Sequence, residues 1–244
     1  MRAREWAHAW QAAICDEIEP WAHGTVVRAT RYPTYFQYNL VRVDEDPGMS
    51  AEELAAFADE ALARVEHRRV DVEPLDVAER LRPDFEAMGW LSERLVWMRH
   101  EAPAPRAGSS IAVEEVPWDA VRDLRVAWHY EDFPQVDLSG HLEEAREVAH
   151  MRGVQVIAVR ERGEPVAYAQ LEWRDGAAEI TQVFVHREHR GHGMGTAVTR
   201  AAIEAAGEVE DLWIVADDEG RPKHLYAALG FRPAWRCVHM LRLP

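Results

Sequence analysis

Only two cysteines occur in the chain, Cys15 and Cys237, one near each end. Two thiols so far apart make no disulfide framework, neither has a catalytic neighbourhood, and in a reducing compartment both are expected to be free and buried. Long apolar runs are missing too. Nothing approaches the roughly 20 residues that cross a bilayer, and the opening stretch MRAREWAHAWQAAICDEIEP is charged and amphipathic rather than a signal peptide. A cytoplasmic protein without a membrane partner is expected. Basic charge is short as well: 28 Lys and Arg stand against 43 Asp and Glu, a formal net charge of −15. That balance speaks against nucleic acid and mildly favours a cationic partner such as an amine.

What is present is the composition of a folded protein, 48% hydrophobic and 29% charged over 244 residues, enough for one large or two modest domains. The most informative stretch is AAEITQVFVHREHRGHGMGTAVTRAAIEAA, residues 177–206. Ile180, Val183, Phe184 and Val185 read as a buried strand, and Ala197, Val198, Ala201, Ala202 and Ala205 recur at helical spacing. Between them lies Arg190-Gly191-His192-Gly193-Met194-Gly195-Thr196. Three glycines in five residues let successive N–H groups converge on one anion at a helix N-terminus, and a diphosphate has the right size. The spacing is GxGxG rather than GxGxxG, and no Lys-Ser or Lys-Thr follows, which counts against dinucleotide and nucleoside-triphosphate loops.

The arrangement Arg190-x-x-Gly193-x-Gly195, in its strand-loop-helix setting, resembles the pyrophosphate loop of the GCN5-related N-acetyltransferases (GNAT). The resemblance implies acetyl-CoA as cosubstrate and no metal. Val183, Phe184 and Val185 would offer backbone groups to the pantetheine arm, and Arg190, Gly191, His192, Gly193, Met194, Gly195 and Thr196 would cradle the pyrophosphate. Tyr226, in LYAALGF, matches the family tyrosine that points its hydroxyl towards the CoA sulfur, and Glu179 matches the glutamate base of the histone-acetylating branch. A strand glutamate here also suits an edge or solvent-facing position. Glu172, Glu131 and Asp132 are reserve bases. His186, His189 and His192 fall three apart, but a strand end followed by a glycine corner has no three-residue period to bring the rings together. Glu219 sits where many members carry an asparagine that contacts the cofactor.

Along the chain, residues 1–23 read as one helix with Trp6, Trp10, Ile14 and Ile18 at spacings of four. Tyr35 to Val43 reads as a strand, and Ser50 with Glu53 as a capping box opening the helix SAEELAAFADEALARV. A short strand around Val70 to Val72, a helix from Leu75 to Met88 stopped by Gly89, and a strand from Leu91 to Arg99 follow. This order returns at the end of the chain. With Gly89-Trp90 set on Gly230-Phe231, Phe85 falls on Tyr226, Ala87 on Ala228 and Met88 on Leu229, which suggests an internal duplication. HEAPAPRAGSS (100–110) has linker composition, placing the boundary near residue 106 and the domains at 1–105 and 106–244.

The second half then reads as a strand from Ile111 to Val116, helices Trp118 to Trp128 and Leu138 to Ala149 joined by HYEDFPQVD, and a hairpin of Val154 to Val159 with Val166 to Trp173. After the strand-loop-helix come a strand from Leu212 to Ala216, a helix from Pro222 to Leu229 and a closing strand pair reaching Leu241. The fold expected is α/β, a mixed and mostly antiparallel sheet flanked by helices, in two tandem GNAT-like domains. The first copy carries Asp44, Glu45 and Asp46 and a single glycine where a cradle would be, so it is expected to be degenerate, its carboxylates repelling an anionic cofactor. The activity implied is acetyl transfer to a primary amine of a small molecule or peptide by a monomer or homodimer. A non-catalytic acetyl-CoA sensor, or an acyltransferase with another acyl group or a hydroxyl acceptor, is the alternative.

Overall fold

A computed structural model describes residues 3–101, 111–138 and 140–244. Helix α1 (Ala3–Ile14) buries Trp6, Trp10 and Ile14, with the two indoles edge to face at 6.0 Å. It ends nine residues earlier than its periodicity predicts. The chain turns at Cys15 into a hairpin of β1 (Glu17–Trp21) and β2 (Gly24–Arg28), and Ile18 is 47% exposed. Pro20 lacks the N–H a helix would need, and a Cβ on Gly24 would lie 2.0 Å from the Arg42 carbonyl oxygen, an approach only glycine permits. A 3₁₀ turn (Phe36–Tyr38) takes the first part of the expected strand, leaving β3 (Asn39–Val43). Helix α2 (Ala51–Ala61) opens on the predicted capping box: the Glu53 N–H donates to Ser50 Oγ at 3.2 Å and the Ser50 N–H to Glu53 Oε2 at 2.8 Å. Strand β4 (Arg68–Val72), helix α3 (Leu75–Ala87) and strand β5 (Leu91–His100) fall close to their expected bounds.

The second half begins with β6 (Glu114–Val116), a 3₁₀ turn (Trp118–Val121) and α4 (Arg122–Asp132). Half of the expected loop HYEDFPQVD is thus the last turn of α4. Helix α5 (His141–Met151) is followed by β7 (Gln155–Glu161), β8 (Glu164–Arg174) and β9 (Ala177–Val185). Then come α6 (Met194–Ala206), β10 (Asp211–Asp217), α7 (Pro222–Ala228) and β11 (Phe231–Arg242). The expected closing strand pair is one continuous strand. Pro233 does not break it because residues 232–234 are exposed and proline's fixed φ suits extended backbone. No described helix is long and apolar enough to cross a membrane.

The chain divides into two compact units, and the predicted boundary near residue 106 lies outside the described residues. The first unit holds the residues up to 96 with 217–219 and 235–244. Its strands run β1-β2-β3-β4-β11, antiparallel except for the parallel β3–β4 pair, and Val238 of β11 faces Val72 of β4. Leu54, Ala58, Leu81 and Phe85 from α2 and α3 pack with Val41, Val43, Val70, Val72, Val238 and Met240. The second unit holds 97–216 and 220–234, with strands ordered β6-β7-β8-β9-β10 and the parallel pair at β9–β10. Helix α6 packs on β7, β8 and β9. Tyr168 and Phe184 join Val116, Val121, Leu124 and Val156 in a cluster below α4.

The two sequence halves share one plan, in which an antiparallel pair leads into a parallel strand-helix-strand and then a second helix ends at a glycine corner. Gly89 and Gly230 both take positive φ, 82° and 101°. Phe85 meets Trp90 at 4.9 Å and 70°, and Tyr226 meets Phe231 at 6.4 Å and 64°. Each unit is completed by a strand from the other half of the sequence. Residues 235–242 of β11 pair with β4 in the first. In the second, Arg99 of β5 ion-pairs with Asp211 at 2.5 Å and the Glu101 N–H donates to the Gly230 carbonyl at 3.1 Å.

Candidate active site

In the second unit the parallel ladder between β9 and β10 stops at Ile180–Ile214, although β9 continues to Val185 and β10 to Asp217. At that point β9 carries a bulge. Tyr168 faces Phe184 while Gln170 faces Thr181, so Gln182 and Val183 together oppose Ala169, and Gln182 takes φ 53°. The bulge turns the backbone of Val183 to Val185 out of register just where β10 has left it. Phe184 is anchored in the core, stacked on Trp128 at 5.3 Å, and Val183 and Val185 are half-buried. An edge of this kind suits an extended, amide-bearing chain laid along it.

The strand leads through a 3₁₀ turn (Arg187–His189) to the glycine corner. Gly191 and Gly193 have φ 84° and 81°, and Gly193 is the N-cap of α6 with no side chain capping it. The Ala197 N–H donates to the Gly193 carbonyl, so the N–H groups of Met194, Gly195 and Thr196 precede the first intrahelical bond and form an anion site with the helix dipole behind it. A Cβ on Gly191 would meet nothing within 4 Å. A Cβ on Gly195 would stand 3.5 Å from both Leu225 and Val185, an ordinary van der Waals contact, so α6 would seat against α7 and β9 with or without it and Gly195 enters the corner through its N–H. Arg190 reaches back rather than into the loop. Its Nε donates to the Val185 carbonyl at 2.9 Å, its guanidinium lies 5.6 Å from the Phe184 ring, and it pairs with Glu131 at 2.5 Å.

Tyr226, on α7, is 5% exposed, and burial raises its pKa, so the hydroxyl keeps its proton across the working range. Glu179 is neither at an edge nor solvent-facing. It is buried opposite Glu172, which is fully buried on β8, and both approach Arg152 at the end of α5; Glu172 forms the closer pair and Glu179 lies at 4.0 Å. Sequence reading missed Arg152 entirely, since nothing local ties the end of α5 to a strand glutamate 27 positions on. Asp132, exposed at the end of α4, has its carboxyl pushed up chiefly by partial desolvation. The His186 and His189 rings are 5.9 Å apart at 58°, and His192 Nδ1 lies 3.3 Å from the His189 carbonyl. Among the described residues the ligand atoms that converge within 4.8 Å are instead those of His8, Asp44 and Glu73 in the first unit. Arg4 and Arg42 already neutralise that group. Glu219 is held by Arg82 at 3.1 and 2.9 Å, within the first unit.

Among its described residues the first half has no equivalent slot. Its parallel ladder runs to the last residue of β3, Val43 opposite Val72, and is extended by the Glu73 N–H donating to the Val43 carbonyl at 3.0 Å. The start of α2 is satisfied by Ser50 and Glu53, and Asp46 accepts the Gly48 N–H at 2.9 Å. The carboxylates are themselves paired, Asp44 with Arg42 and Asp46 with Arg80. Occupied donors and a closed ladder, more than charge repulsion, distinguish this half.

Residues 118–231 match the model of the acetyltransferase (GNAT) family. Among solved structures the chain is similar to a functionally unknown conserved protein from Staphylococcus epidermidis, with TM-score 0.72, 15% identity and 94% of each chain covered. A GCN5-related N-acetyltransferase from Kribbella flavida gives TM-score 0.59 and 19% identity over 98% of this chain and 94% of that one. A tandem GNAT protein from the clavulanic acid biosynthesis pathway gives 0.52 and 19% over 83% and 74%. At these identities the likeness is one of fold. No curated protein matches the chain.

Proposed function

Because residues 118–231 make up an acetyltransferase (GNAT) domain, we propose that this protein moves an acetyl group from acetyl-CoA to the primary amine of a small molecule or peptide. The observation that carries the reading is the parting of β9 and β10 at a bulge directly upstream of an uncapped helix N-terminus. Acetyl-CoA supplies a thioester-activated acetyl group; the protein supplies the rest. Val183 and Val185 offer backbone groups along the strand edge, and Met194 to Thr196, with the bare corner at Gly191 and Gly193, meet the diphosphate. His192 and Arg190 flank that corner. The new bond is amine nitrogen to acetyl carbon and the broken one is carbon to sulfur. Tyr226, neutral and buried, holds the proton that the departing sulfur takes. The proton lost by the amine goes to solvent or to a carboxylate, of which Glu179 is held by Arg152 and Asp132 is open to water.

The proposal extends to one acyl-carrier site per chain, in the second half, with the first half as scaffold and the divide near residue 106. It also extends to no resident metal, no nucleic-acid or membrane partner, a monomeric or homodimeric state and a cytoplasmic setting, which the free, buried cysteines suit. The test is thiol release from acetyl-CoA with panels of amino acids, polyamines, aminoglycosides and short peptides. Acceptor-dependent release above hydrolysis supports the reading. Tight acetyl-CoA binding with no release makes the protein a sensor, and release only with longer acyl-CoA or with alcohols moves it to another acyltransferase class.

A further inference from the structure

On the sheet face below α4, one cation is left without a counter-charge. Arg125 is half-buried, and among the described residues no carboxylate lies within ion-pair distance of it. The side chains it hydrogen-bonds or stacks on are neutral. NH1 lies 3.5 Å from the Tyr168 hydroxyl and 3.3 Å from Gln182 Oε1, and the guanidinium lies over the Trp118 ring at 5.0 Å. With its amide oxygen turned inward, Gln170 accepts from Arg125 NH1 at 3.1 Å and from Trp118 Nε1 at 3.3 Å. Every one of these partners engages NH1 or the ring face. Nε is buried with no hydrogen-bond partner.

A guanidinium in such a setting bears a desolvation cost that neutral acceptors at 3.1–3.5 Å offset only in part. Among the described residues no hydrogen bond engages NH2, which unlike Nε is not sealed from solvent, and the terminal nitrogens of a guanidinium are donors that a carboxylate meets in pairs. A second observation places this guanidinium at the reacting end of the slot. Gln182, which holds NH1, is the bulge residue in the left-handed region (φ 53°), a conformation that is costly for a side chain of this kind and concentrates at functional sites. Gln182 therefore links Arg125 directly to the backbone that turns Val183 towards the gap between β9 and β10.

We propose that Arg125 receives a carboxylate of the acceptor, so that the substrate class is an amino acid or a related amine that carries an acid group. The proposal rests on the acyl-transfer reading above and narrows its acceptor. The Trp118 face and the three neutral polar side chains repel no anion, and they orient the guanidinium edge-on for one.

The test is steady-state acetylation with matched acceptors: free amino acids against their carboxamides. Glutamate, glutamine and glutamate α-amide separate an α-carboxylate from a side-chain one. The wild type should favour the carboxylate of each pair by about ten- to a hundredfold in kcat/KM, the range of a hydrogen bond to a charged group. Arg125→Gln should collapse that preference through KM, and Arg125→Lys should recover part of it. Calorimetry with CoA in both variants checks that the slot is intact. An unchanged preference in Arg125→Gln, or a wild type that acetylates carboxamides or polyamines as well as acids, overturns the proposal and leaves Arg125 as a pin between α4 and the sheet. Where no amine is acetylated at all, the acyl-transfer reading fails by itself. The same acids titrated into the CoA-loaded protein then decide: carboxylate-dependent heat lost in Arg125→Gln supports the receptor, and no heat overturns it.

Discussion

At the level of single side chains, Tyr226 carries the clearest expectation. Its ring fills a site against Phe231 and its hydroxyl stays protonated in the buried setting. Tyr226→Phe should therefore keep the unfolding midpoint and CoA affinity while losing roughly ten- to a thousandfold in turnover. Full turnover, with chemistry shown to be rate-limiting, would reduce the residue to packing. The counterpart in the first half is Phe85, fully buried with no hydroxyl. His67 gives a different expectation, one of pH. Its ring is 1% exposed, its Nε2 lies 3.0 Å from the Asn39 carbonyl, and burial, with Arg69 and Arg68 adding, lowers its pKa from 6.5 to about 4. The unfolded chain then binds the proton first. The stability is present in full above about pH 6.5 and is lost as pH falls towards 4, by up to about 3 kcal/mol for this group. His239 shifts the same way by burial and by Arg69 beside it. Urea unfolding from pH 7 to pH 4 should show a decline that His67→Gln makes shallower; an equal slope in the variant would assign the decline elsewhere.

Among the elements, α2 and α6 start in opposite ways, and this predicts opposite responses. Ser50→Ala removes a cap and should cost about 1 kcal/mol of stability, read as a shift in urea midpoint, with CoA affinity untouched. Gly193→Val puts a branched residue at φ 81° and a side chain over the open corner, so CoA affinity should vanish while the circular dichroism spectrum stays folded. Unchanged affinity in a folded Gly193→Val protein would remove the loop from the site. Both features were legible in the sequence because they are local: a capping box spans four residues, and the strand-glycine-helix corner less than thirty. The hairpin after α1 was not, because Trp6, Trp10, Ile14 and Ile18 keep a helical period straight through a turn that only tertiary packing around Gly24 reveals. The site was legible in part for the same reason. Tyr226 and the glycines lie in short motifs, whereas the pairing of Glu179 with Arg152, and of Gln182 with Arg125, joins residues 27 and 57 positions apart. A β-bulge formed at a glutamine rather than a glycine leaves no mark in the pattern.

For the molecule as a whole, the closed ladder and occupied caps of the first half predict a stoichiometry of one CoA per chain by calorimetric titration, and two equivalent sites would overturn the view of that half as scaffold. The exchange of terminal strands gives a second expectation. Deleting residues 235–244 removes the strand that pairs with β4 and the fully buried Val238 and Met240. Each such side chain is worth about 1.5–3 kcal/mol of burial, against a total stability of about 5–15 kcal/mol for a domain. The first unit of the truncated protein should lose its cooperative unfolding transition and become open to proteolysis; a protease-resistant fragment 1–100 would show that β11 is dispensable to it.

The position of β11 also sets a clock on the ribosome. Val72 leaves it some 165 residues before its partner Val238 is made, about ten to thirty seconds at a synthesis rate of 5–20 residues per second. For that interval the nascent first half lacks the partner of the β4 edge, so its sheet is completed only once the second half has been made. The sequence of that edge, Arg-Arg-Val-Asp-Val, alternates charge with valine, and such charges discourage another chain from pairing with an open strand. Arg69 and Asp71, which end up buried beside His239 in the finished protein, thus guard the strand while it waits.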